Sequence, residues 1–190
     1  VIIMKRIASV ILTGALILSM GAAAFAATPS KTVADEIKAV AAVETTGFDR
    51  VSISTEETEA TVAQSAKVVA ELASSNEELK EAVGATAEEK VEITAVQTVT
   101  IEQTPLFNRT EATVSLSSAV IDAAYKENEQ VTVLVMVPVV GKDGTVTYEK
   151  ITVTGVVKNG KVQVKLTGAQ LKKIGKKSVT LVATKKTAKV

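Results

Sequence analysis

The chain contains no cysteine, no histidine and no tryptophan. Without histidine or cysteine there is no Ser-His-Asp or Cys-His nucleophile system, and no conventional zinc site. Ser-Lys catalysis has no S-x-x-K to work with, and Lys165-Leu166-Thr167-Gly168 reads better as the end of a strand than as a K-T-G element. Aromatics are equally scarce. Beyond residue 26 they are Phe48, Phe107, Tyr125 and Tyr148, too few to stack sugars in a hydrolase cleft or to interleave with cations on nucleic acid. Neither G-x-G-x-x-G nor a phosphate-binding G-x-x-x-x-G-K-[ST] occurs. Gly141-Lys142-Asp143-Gly144 lacks the repeated acidic ligands of a calcium loop. These absences set the expectations of no catalytic residues, no metal, no cofactor, no nucleic-acid partner and no enzymatic activity. A carboxylate-dependent hydrolase stays as a distant alternative.

What is present is a leader. Lys5-Arg6 precede an uncharged run from Ile7, and Ala24-Phe25-Ala26 supplies the small-x-small triplet of a secretory cleavage site. Residues 1–26 are therefore expected to be removed between Ala26 and Ala27, leaving an exported protein, secreted or envelope-associated, with no membrane span after processing. Serines, glycines and a terminal alanine cluster break the run, which favours cleavage over anchoring. An exported chain without cysteine can form no disulfide and must rely on packing, a habit of bacterial exported proteins. Asn108-Arg109-Thr110 reads as a polar turn in that setting.

Residues 27–89 read as an acidic helical segment. Thr32 to about Val43 places Val33, Ile37 and Val40 on one helical side. Ser54-Thr55-Glu56-Glu57 has the form of a capping box ahead of the stripe Val62, Ala66, Val69, Leu72. Ser75 opens a second short helix that Gly84 stops.

From Lys90 the period changes to alternation, with Val91, Ile93, Ala95, Val99 and Ile101 on one face and Glu92, Thr94, Thr98, Thr100 and Glu102 on a wet one. Ala112–Leu116 is a shorter strand. Ser118 then caps a helix expected to run to Lys126. Val131–Val140 is the most apolar strand, with Pro138 at an edge or bulge. Asp143-Gly144 and Asn159-Gly160 are hairpin turns leading into Thr145–Val157 and Val162–Leu166. Thr167–Ile174 is a short helix, and Ser178–Thr184 is the last strand.

The expected class is α+β, with N-terminal short helices followed by an antiparallel, immunoglobulin-like β-sandwich-type domain over residues 90–186 and a basic tail at 187–190. In strand spacing and turns, residues 90–186 resemble the immunoglobulin-like modules of exported bacterial surface proteins. The resemblance implies binding or spacing rather than catalysis.

Charge is divided along the chain. Residues 27–149 carry nine basic residues against all 21 acidic ones, a balance of −12, whereas residues 150–190 carry eleven lysines and no acid. Two readings compete. In the favoured one, basic strands lie near acidic helices and the charges offset internally. In the other, Lys172, Lys173, Lys176, Lys177, Lys185 and Lys186 form an exposed surface for anionic cell-envelope polymers or membrane headgroups. The functional expectation is an exported, non-catalytic binding or adhesion-like module, with anionic cell-envelope polymers or another envelope protein as partner. A structural subunit assembling by strand addition, for example at an unpaired Val131–Val140 edge, is the alternative.

Overall fold

A computed structural model of the protein describes residues 33–47 and 50–188; the expected leader and expected cleavage site lie outside the described residues. The strands are β1 (Val40–Thr46), β2 (Ser52–Ser54), β3 (Glu89–Gln103), β4 (Glu111–Ser117), β5 (Gln130–Val140), β6 (Val146–Lys158), β7 (Lys161–Thr167) and β8 (Ser178–Ala188). The helices are α1 (Glu59–Ser74), α2 (Asn76–Val83), α3 (Ile121–Ala124) and α4 (Gly168–Ile174). Among the described residues no helix is long and apolar enough to cross a membrane.

The fold is mostly antiparallel β, with few helices. All eight strands share one sheet in the order β1-β4-β7-β6-β5-β8-β3-β2. The sheet curls nearly into a barrel, because the residues just ahead of β1 return to β3. The Ala39 amide donates to the Val96 carbonyl (2.9 Å) and the Val96 amide to the Ile37 carbonyl (2.8 Å), a parallel bridge. β5 lies inside the sheet, paired with β6 over its whole length and with β8 from Thr132 to Met136. It therefore offers no open edge over Thr132–Met136, which removes that stretch of the strand as a strand-addition site. Pro138 lies beyond the β8 pairing, where its missing amide proton costs no ladder bond on that side.

Two apolar clusters explain the unbroken hydrophobic run of β5. Val131, Val133, Val135 and Val137 face the inside of the curl with Val99, Val114, Val164 and Leu181. Leu134 and Met136 face outward and are covered by Val68 and Leu72 of α1 and by Leu79 and Val83 of α2. The two short helices close the ends of the curl. Ile121 and Tyr125, from α3 and the residue after it, enter the inner cluster at one end, and Leu171 and Ile174 of α4 enter it at the other.

Several local expectations are corrected. The segment expected to be helical over Thr32–Val43 forms a single turn at Asp35–Ile37 and then becomes β1. Ala39 and Ala41 are buried, whereas Val40, placed inward by the helical spacing, is 72% exposed. With β1 and β2 the sheet takes in residues from upstream of position 89. The capping box stands four residues later than expected, formed by Thr58 and Thr61 (Thr61 N to Thr58 Oγ1, 3.2 Å). Ser54 instead accepts from the Glu56 amide (3.3 Å). Ser118 caps nothing: its hydroxyl donates to the Thr94 carbonyl (2.7 Å), and α3 spans four residues.

The expected wet face of β3 is dry from Thr94 to Thr98. A register shift between Ile93 and Ala95 moves Val91 and Ile93 to the helix side while Ala95, Val99 and Ile101 face the inner cluster. The buried hydroxyls are satisfied in a chain: Ser65 lies 2.6 Å from Thr98, and Thr98 lies 2.8 Å from Thr180. The turns stand where the sequence puts them. Asn159 (φ 51°) and Gly160 (φ 68°) both take positive φ, as a two-residue type I′ hairpin requires.

Candidate functional site

The end of the curl closed by α4 collects the described residues of four connections: Gly47 with residues 50–51, then 104–110, 141–145 and 168–177. Helix α4 is built to sit there. Thr167 caps it and accepts from the Gln170 amide (3.3 Å), while the Gln170 side chain accepts from the Thr167 amide (2.9 Å). Leu171 and Ile174 point into the inner cluster, so the intervening Lys172 and Lys173 point out. Gly168 lets the 104–110 loop cross the start of the helix. A Cβ at that position would lie 2.8 Å from the carbonyl oxygens of Phe107, Asn108 and Thr110.

The charge of the described residues in these connections is one-sided, with Glu102, Glu111 and Glu149 standing on the strands beside them. Among the described residues of the four connections, Arg50, Arg109, Lys142, Lys172, Lys173, Lys176 and Lys177 stand against Asp143 alone, and all seven cations are exposed. The Thr145 hydroxyl and amide (N to Oδ1, 3.0 Å) hold the Asp143 carboxyl below the usual carboxylate range. Lys173 pairs with Glu149 of β6 (3.1 Å), and Lys177 donates to the Pro138 carbonyl (3.3 Å). Among the described residues, Lys172, Lys176 and Lys177 form no ion pair. An open depression of about 720 Å³ lies beside Lys172, lined also by Leu106, Phe107 and Arg109.

The six lysines singled out in the sequence do not form one cluster. Lys172, Lys173, Lys176 and Lys177 share the α4 end. Lys185 and Lys186 lie far along β8, about 26 Å from Lys177 at the ordinary strand rise. Lys185 is half-buried: it donates to the Ala124 carbonyl, lies 3.4 Å from Glu129, and sits 4.9 Å from the Tyr125 ring centre. That makes it a packing residue. Lys186 reaches the Gly84 carbonyl (3.5 Å).

The internal-offset reading holds for part of the basic half. Lys150 pairs with Glu78 of α2 (3.3 Å) and Lys165 with Glu111 (2.9 Å). It does not account for Lys172, Lys173, Lys176 and Lys177, whose one carboxylate partner among the described residues is Glu149. Sequence reasoning missed Arg50, Arg109 and Lys142 as members of this end. No local signal brings three separate turns together; only the strand order does.

Among the described residues no group of acidic side chains converges as metal ligands do. Compared with protein-family models, curated proteins and solved structures, the chain matches none.

Proposed function

We propose that the protein is an exported, envelope-associated binding module that engages polyanions through the α4 end, with no catalytic step of its own. The observation that carries this reading is the segregation of seven exposed cations against one described carboxylate in the connections of a single end. Lysine on a short helix and in loops is a flexible point charge suited to diffuse anions rather than to one shaped ligand. The immunoglobulin-like use of residues 90–186, binding or spacing rather than catalysis, belongs to the same proposal and is supported by the tight hairpins that join the strands.

Binding is expected to be modest, broad across anionic polymers and weakened by salt, since screening shortens to about 8 Å near physiological ionic strength. The test is retention on an anionic polymer resin at low and high salt, run beside a thermal melt. Changing Lys172, Lys173, Lys176 and Lys177 together to Gln should abolish retention. It should lower the melting temperature only by the small cost of losing the exposed Lys173–Glu149 pair. Retention that survives either the substitution or high salt would refute the reading.

A further inference from the structure

The same end is also where the protein exposes its large apolar side chains. Six described large hydrophobic residues are exposed: Val40, Leu106, Phe107, Val139, Val140 and Val146. All except Val40 lie at the α4 end. Leu106 is 78% exposed, Phe107 66% and Val140 68%. Scattered exposed hydrophobics are ordinary, but gathering them among cations is not. Two loops also repeat one pattern, an apolar pair followed two residues later by a cation: Leu106-Phe107-Asn108-Arg109 and Val139-Val140-Gly141-Lys142. Helix α4 links the two tips. Its Lys172 shares the depression with Leu106, Phe107 and Arg109, and Lys173 and Lys177 bond to Glu149 and the Pro138 carbonyl beside the other tip.

A hydrated polymer chain gives exposed leucine and phenylalanine nothing to enter. A bilayer interface does: apolar side chains leave water among the acyl chains while neighbouring lysines and arginines meet anionic headgroups. We infer that the α4 end docks onto an anionic lipid bilayer, with Leu106 and Phe107 and the Val139–Val140 tip entering the headgroup region and the surrounding cations facing lipid phosphates. This rests on the polyanion reading above and names the polyanion. The protein would lie on the membrane end-on, held by loops. Each cation near the surface contributes a factor of about five in affinity, so removing three should weaken binding by about a hundredfold.

Two variants separate the apolar and ionic contributions. Leu106→Ser with Phe107→Ser removes apolar insertion, and Lys172→Gln with Lys176→Gln and Lys177→Gln removes charge. Flotation with phosphatidylcholine vesicles, with and without phosphatidylglycerol, is measured beside retention on the anionic resin. The inference expects the purified protein to float with phosphatidylglycerol-containing vesicles and not with phosphatidylcholine alone. The serine variant should lose vesicle binding several-fold while keeping resin retention, and the glutamine variant should lose both. Because the chain has no tryptophan, Leu106→Trp supplies a single reporter, whose emission should shift to the blue on anionic vesicles and stay put on neutral ones. In the unsubstituted protein, resin retention without vesicle binding would overturn membrane docking and leave the polyanion reading standing; absence of both would overturn both. Equal vesicle binding by the serine variant, or an indole emission in Leu106→Trp that does not move, would overturn insertion. A concentration-dependent dimer dissolved by the serine pair would assign the patch to a second copy of the chain and refute the inference.

Discussion

Lys173 and Glu149 form an ion pair 3.1 Å long that ties α4 to β6, while the adjacent Lys172 turns the other way and lines the depression with Arg109. The two neighbours divide the basic segment between its two roles. Lys173, like Lys150 and Lys165, takes part in offsetting charge within the fold. Lys172, with Lys176 and Lys177, leaves its charge at the surface. An exposed pair contributes about 0–1 kcal/mol, so the fold does not depend on Lys173, and the α4 lysines can be changed without unfolding the protein.

The inner cluster is centred on β5, and Val135 is the residue to probe. It is 1% exposed and sits in register with Leu181 of β8 and Ile151 of β6. Val135→Asp would bury an unpaired charge there, at a cost of several kcal/mol against a domain stability of about 5–15 kcal/mol. Chemical denaturation should show the variant largely unfolded. A melt within a few degrees of wild type would place the core elsewhere.

Gly168 governs how the 104–110 loop lies on α4. With three carbonyl oxygens 2.8 Å from a new Cβ, Gly168→Ala must push the loop or the helix aside. The expected loss is about 1–3 kcal/mol, the range for forced overpacking. It should appear as a lower denaturation midpoint with an unchanged slope, and a neutral substitution would contradict the close crossing.

Tyr125 should set an alkaline limit on stability. Its hydroxyl lies 2.6 Å from that of Thr94, and burial raises its pKa well above the ordinary phenol value. A group with a raised folded pKa stabilises the fold fully below its unfolded pKa, about 10, and loses that contribution as pH rises beyond it. Stability should therefore fall from about pH 10 upward. Tyr125→Phe should flatten that fall, at a cost of about 1 kcal/mol at neutral pH for the lost hydrogen bond. Melts across the alkaline range decide it, and an equally steep fall in Tyr125→Phe would refute the assignment.

Local signals were legible where the chemistry is local. The Asn159-Gly160 turn, the Ser75 and Gly84 boundaries of α2 and the apolar run of β5 stand as the residues indicate. The failures have long-range causes. Ala41, Ala42 and Glu44 carry little strand preference, and β1 forms because β4 is available to pair with it over Val40–Thr46. The β3 bulge breaks an alternation that looked continuous, and α1 dries a face whose threonines looked solvent-facing. For the candidate site, the four lysines on and after α4 were visible as a run, but Arg50, Arg109, Lys142 and the exposed apolar tips join them only through strand order. Lys185 shows the converse: a lysine close in sequence that the fold uses to pack on Tyr125.

The central claim is that the polyanion site is at the α4 end, and comparing equal charge removal at the two ends of the molecule tests it most directly. One variant carries Lys172→Gln, Lys176→Gln and Lys177→Gln. The other carries Lys158→Gln, Lys161→Gln and Lys186→Gln, all exposed positions at the opposite end. Both lower the net charge by three, so a response to overall charge alone would affect them equally. Retention on the anionic resin at low salt should fall by about a hundredfold for the first variant and stay within about twofold of wild type for the second, with each cation at the contact worth about fivefold. Equal losses in the two variants, or a larger loss in the second, would contradict the account.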